Sequence, residues 1–164
     1  KAGLITFSSR VHTTLVAERK GNQIARILEL LYKQQTDFEE PDYGALYNQL
    51  RTQVRQRSLL LLFTNFESLT SMQRNLRYFR RIARSHLLVV IFFQNTELFA
   101  ALEQPARDME ELFSQSIARR FVLEKKLIVR ELENHGVLTV LAAPEDLTVK
   151  TINKYLEIKA RSLL

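Results

Sequence analysis

Apolar and polar positions alternate along this chain with a period that changes from block to block, and the changes divide it into elements. Residues 3–7 (GLITF) and 11–16 (VHTTLV) are β-rich pieces separated only by Ser-Ser-Arg, a spacing that allows a hairpin and excludes a parallel crossover. The second piece is expected to be antiparallel and at an edge. Asn22 then stands where an N-cap is wanted, and Ile24, Ile27, Leu28 and Leu31 follow at helical spacing. Beyond the polar, acidic loop QQTDFEEPD, Asp42 is placed to cap a second helix carrying Leu46, Leu50 and Val54. Leu59–Phe63, five apolar residues without a break, reads as a buried strand that delivers Thr64 and Asn65 to its carboxyl end.

A helix is predicted from Thr70, with Leu69, Met72, Leu76, Phe79 and Ala83 on one face and Ile82 at its margin. LLVVIFF follows and is continuous enough to be a central parallel strand, buried on both sides. From Ala106 to His135 there is neither glycine nor proline, which predicts one long helix with Gly136 just past its end. VLTVLA is a fifth strand, and Asp146 is placed to cap a last helix through Ile152, Tyr155, Leu156 and Ile158. From Asn22 onward, helices and strands alternate, which argues for one mostly parallel α/β sheet with helices on both faces and an antiparallel edge hairpin. No repeat, low-complexity segment or linker interrupts the pattern, so residues 1–164 are expected to form a single domain.

Composition narrows this picture. The 164 residues are 46% hydrophobic and 26% charged, the balance of a globular chain. The longest apolar run, Leu87–Phe93, is far short of the roughly 18 to 20 residues that span a bilayer. The absence of cysteine removes disulfides, thiolate nucleophiles and zinc–thiolate sites, and agrees with a reducing compartment. The chain opens on Lys1 with a strand almost at once and no signal peptide, as an excised fragment would. A net charge of +6 admits an acidic protein, a membrane surface or nucleic acid as partner without choosing among them.

Candidate chemistry is sparse. The four glycines form neither of the usual phosphate cradles, there is no G-x-S-x-G elbow, and His12, His86 and His135 lack metal-ligand spacing. Asp37, Glu39, Glu40 and Asp42 crowd one loop without the spacing of a calcium site, so a solvated loop with a capping role is the preferred reading. Arg74, Arg77, Arg81 and Arg84 fall at offsets of three, four and three, one stripe opposite the apolar face of their helix. That stripe is a possible partner surface for phosphates or acidic protein. No aromatic residues interleave with it, which weakens a single-strand nucleic-acid platform, though a basic nucleic-acid-binding domain stands as the alternative function.

Two stretches carry a resemblance. KAGLITFSSRVHTTLVAERKGNQIARILELL resembles the second strand, edge hairpin and helix of a von Willebrand factor A-like domain. HGVLTVLAAPEDLTVKTINKYLEIKARSLL is similar to the end of a bacterial branch of these domains, the domain-of-unknown-function family fifty-eight. The resemblance implies a Rossmann-like sheet and a non-enzymatic, membrane-associated bacterial protein. Its A-like domain would face the cytoplasm and work with a MoxR-type AAA+ ATPase in assembling or maturing other complexes.

In that family a metal-ion-dependent adhesion site joins an Asp-x-Ser-x-Ser loop, a threonine and an aspartate. Here the first piece would lie upstream of Lys1, Pro41, Asp42 and Tyr43 stand where the threonine motif is expected, and Thr64 and Asn65 replace the aspartate pair. An amide oxygen brings no formal charge to a divalent ion, so a degenerate site without metal or cofactor is expected. Ser8, Ser9, Asp42, Thr64 and Asn65 would line a strand-end crevice that binds a protein partner. The resemblance also places a missing strand between residues 3–7 and 58–64. Either those two edges should close on each other, or another segment or chain should fill the gap.

Overall fold

The computed structural model describes residues 1–35, 39–66, 68–96, 98, 102, 105 and 108–163. It consists of two compact units, Lys1–Gln56 and Arg57–Leu164.

The first unit holds β1 (Ala2–Phe7), β2 (Val11–Glu18), α1 (Gln23–Tyr32) and α2 (Tyr43–Gln53). β1 and β2 pair antiparallel, with two register shifts that leave extra residues on β2. Gly3 sits at the first shift, where a Cβ would lie 2.7 Å from the Leu15 carbonyl oxygen and 2.9 Å from the Ala17 nitrogen. The side-chain amide of Gln23, itself buried, donates to the carbonyls of Ala2 and Val16 at 2.8 and 2.9 Å and so ties both strands to the start of α1. α2 begins as expected: the Asp42 carboxylate accepts from Gly44 N and Ala45 N at 2.7 and 3.0 Å, and Leu46 and Leu50 are buried. α1 departs from expectation. Asn22 makes no side-chain cap, and of the expected stripe Ile27 is half-buried while Ile24, Leu28 and Leu31 are exposed, so the hairpin covers only part of the helix's apolar face.

The second unit holds β3 (Leu59–Phe63), α3 (Leu69–Ser85), β4 (Leu87–Phe93), α4 (Met109–Asn134), β5 (Leu138–Ala142), a 3-10 turn (Pro144–Asp146) and α5 (Leu147–Ala160). The strands form a parallel sheet in the order β3-β4-β5. Both crossovers step the same way across it, and right-handed connections therefore place α3 and α4 on one face. There Met72, Phe79 and Ile82 of α3 and Ile128 and Leu132 of α4 are shut off from solvent, together with Leu88, Val90 and Phe92 of β4. On the opposite face Ile158 of α5 packs into a cluster with Val89, Ile91, Val140 and Ala142.

α4 ends in a paired capping motif. Gly136 adopts φ +75°, Gly136 N donates to Glu133 O and Val137 N to Leu132 O. The expected helix start at Ala106 lies outside the described residues; Asp108 caps α4 by accepting from Glu111 N at 2.8 Å. Asp146 does not cap α5. Its backbone is already helical, so the carboxylate points along the helix and pairs with Lys150 at 3.3 Å.

Two expectations for the sheet are corrected. β1 pairs only with β2 and β3 only with β4, so the hairpin is a separate two-stranded sheet, and the two edges do not close on each other among the described residues. β3 is also not a buried strand. The bonds Thr64 N to Ile91 O and Leu87 N to Ser58 O show which residues face β4. By alternation, Leu59, Leu61 and Phe63 turn their backbone N–H and C=O groups to the other, unpaired edge. Their side chains share the face of Val89 and Ile91; Leu59 packs against that cluster, while Leu61 is 39% and Phe63 52% exposed.

Candidate functional site

The carboxyl ends of β3, β4 and β5 open into one cavity of about 860 Å³, lined by Asn65, Phe66, Phe93, Gln94, Phe121, Lys125 and Leu141 among others. Its floor is built by the chain leaving β3. Phe66 is 2% exposed and meets the rings of Phe79 and Phe92 edge-on at 5.8 and 5.9 Å. That anchor fixes Asn65 at the rim. Thr64 stays in the ladder through its N–H to Ile91 O.

Two adjacent residues of α4 hold this turn. The Lys125 ammonium donates to Asn65 Oδ1 and to Phe66 O, both at 2.6 Å. Glu124 Oε1 accepts from Leu69 N at 3.0 Å, satisfying one of the free donors at the start of α3, while Ser68 Oγ accepts from Ser71 N. Neither Glu124 nor Lys125 was expected from the sequence, because in the run LEKKL nothing separates a clamping charge from a solvated one. Burial pushes the Lys125 ammonium below its ordinary value, with the Glu124 charge opposing in part. Asn65 Oδ1 also accepts from Phe66 N at 3.1 Å. Asn65 Oδ1 thus already faces a cation, and a divalent ion there would meet like charge.

The remaining candidates belong to the first unit. Asp42 N donates to Ser8 O at 2.8 Å, which brings those two residues together. Ser9 Oγ donates to Glu39, and Ser8 Oγ lies 2.6 Å from His12 Nε2. Asp42 Oδ1 is occupied by the two N–H groups of its cap. Asp37 of the acidic loop lies outside the described residues. Among the described residues no group of three His, Asp or Glu side chains converges to hold a metal ion, and no helix is long and apolar enough to cross a membrane.

On α3 the arginines Arg74, Arg77, Arg81 and Arg84 are all exposed, on the side away from the buried Met72, Phe79 and Ile82. Arg77 bonds the Tyr78 hydroxyl at 2.8 Å and lies 4.7 Å above its ring.

Fold and site together define an α/β protein with a three-stranded parallel sheet, an accompanying antiparallel hairpin, and a strand-end cavity that carries a half-buried lysine. Comparison with family models, curated proteins and solved structures found no significant match.

Proposed function

We propose that this chain is a non-enzymatic protein-interaction module of the von Willebrand factor A-like type. On this reading it acts on the cytoplasmic face of a bacterial membrane with a MoxR-type AAA+ ATPase. The observation that carries the reading is the outer edge of β3, where backbone groups unpaired among the described residues run beside the exposed side chains of Leu61 and Phe63. Five apolar residues in a row are suited to a strand covered on both sides, and a surface of this kind is characteristic of a contact with another polypeptide. The engagement of Asn65 Oδ1 by Lys125 supports recognition that does not depend on a metal.

The test is a titration of the chain against a purified MoxR-type ATPase encoded in the same genome. Saturable binding is expected, and Phe63→Glu should weaken it at least tenfold, since burying a phenylalanine is worth roughly 1.5–3 kcal/mol. Circular dichroism would establish that the variant is folded. Absence of binding would remove the partner, and unchanged binding by the variant would remove the β3 edge as the surface.

A further inference from the structure

The strand-end cavity contains a cation, Lys125, that makes no direct ion pair among the described residues; the Glu124 charge offsets it only in part. The Lys125 ammonium donates to two neutral oxygens, Asn65 Oδ1 and Phe66 O, and lies 5.8 Å from the centre of the Phe92 ring. An ammonium has three N–H donors, and among the described residues only two of them meet an oxygen acceptor. The neighbouring Glu124 spends Oε1 on Leu69 N. Around this charge the walls are mainly apolar, with Phe93 and Phe121 40% and 45% exposed and Leu141 of β5 beside them, and Gln94, Asn95 and Thr96 contribute polar groups. Lys126 adds a second positive charge at the rim.

We propose that this cavity binds a small organic acid, with its carboxylate on Lys125 and its apolar body against Phe93, Phe121 and Leu141. Three features point to that class. A volume of about 860 Å³ falls within the roughly 300–1,000 Å³ of small-molecule sites, which combine apolar walls with a few placed polar groups. A carboxylate would give the third N–H an oxygen acceptor and complete the partial charge compensation from Glu124, in a charge-assisted bond stronger than either neutral contact now present. Burial holds the ammonium below its ordinary value, and an anion beside it would restore the solvation that burial removed. The ligand also touches Asn65 and Phe66, and so meets the turn that starts α3. This site is separate from the β3 edge and does not depend on the identity of the protein partner.

Octanoate and its uncharged counterpart octanamide are the probes, titrated into the whole chain with calorimetry and with the backbone amide resonances as readouts. Octanoate should bind saturably, moving the resonances of Asn65, Phe66, Gln94 and Lys125, and octanamide should bind at least tenfold more weakly. Lys125→Gln should reduce octanoate to the level of octanamide, while Lys125→Arg keeps the preference. Because Lys125 also holds the turn after β3, Phe121→Asp, an exposed wall position, provides an independent variant and should likewise lose octanoate. The proposal is overturned by equal affinity for the two probes, by a preference that survives Lys125→Gln, by octanoate binding unchanged in Phe121→Asp, or by shifts confined to the β3 edge or α1.

Discussion

Asn65 shows how far a side chain's meaning depends on its neighbour. From the sequence it is a weak metal ligand at a strand end; in the structure its oxygen is the acceptor of a lysine 60 positions away. Converting it to Asp would create an ion pair with Lys125 before it created a metal site. Isothermal titration of Mg²⁺ should therefore give no binding heat with wild type or with Asn65→Asp, and a saturable isotherm in the variant would show that the ammonium can be displaced. His86 permits a second prediction at this scale. Its side chain is buried, Nδ1 has no partner among the described residues, and burial lowers its pKa from 6.5. The unfolded chain then takes up a proton near pH 6.5 that the folded chain refuses until lower pH. Stability should fall as pH drops through 6.5 and level off below the depressed value. Urea midpoints at pH 7.5 and 5 should separate more for wild type than for His86→Gln. Neither Lys125 nor His86 could be singled out in advance, since burial and long-range partners leave no local trace.

At the scale of elements the sequence was far more legible. Among the described residues, strands β1 to β5 and helices α1 to α5 stand within a few residues of where periodicity put them, and Asp42 caps α2 through bonds that its position foretold. Caps failed at Asp146, where the backbone was already helical, and at Asn22, whose φ −94° and ψ 5° also depart from the extended backbone of a capping residue. Periodicity identifies an amphipathic face but not what covers it, and α1 displays a good helical stripe to solvent. The hairpin's register shifts were also hidden, although Gly3 marks one of them. Gly3→Ala would drive a methyl into the Leu15 carbonyl and the Ala17 nitrogen. It should cost about 1–3 kcal/mol, the usual range for overpacking, measurable as a lowered denaturant midpoint for the first unit.

For the whole molecule, the alternation of elements correctly implied an α/β class with parallel strands but overstated the continuity of the sheet. Alternation specifies which strands follow which helices; it does not specify that a hairpin strand and a crossover strand share a ladder, because that pairing is non-local. The result is a molecule with apolar residues on α1, the β3 edge and α5, where Val149, Ile152 and Leu156 are exposed. In sedimentation velocity the weight-average coefficient should rise with concentration. Leu61→Lys together with Phe63→Lys should suppress the rise, as charge does at natural strand edges. A coefficient independent of concentration in wild type would show that the edge is protected in solution.

The open side of β3 has a thermodynamic corollary. Whatever pairs with Leu59, Leu61 and Phe63 does so in the folded chain and not in the unfolded one, and it therefore stabilises the fold in proportion to the logarithm of its own concentration. The melting temperature of this polypeptide is then less a constant of its sequence than a gauge of its company, and a cell could set the protein's lifetime simply by making more or less of what docks there.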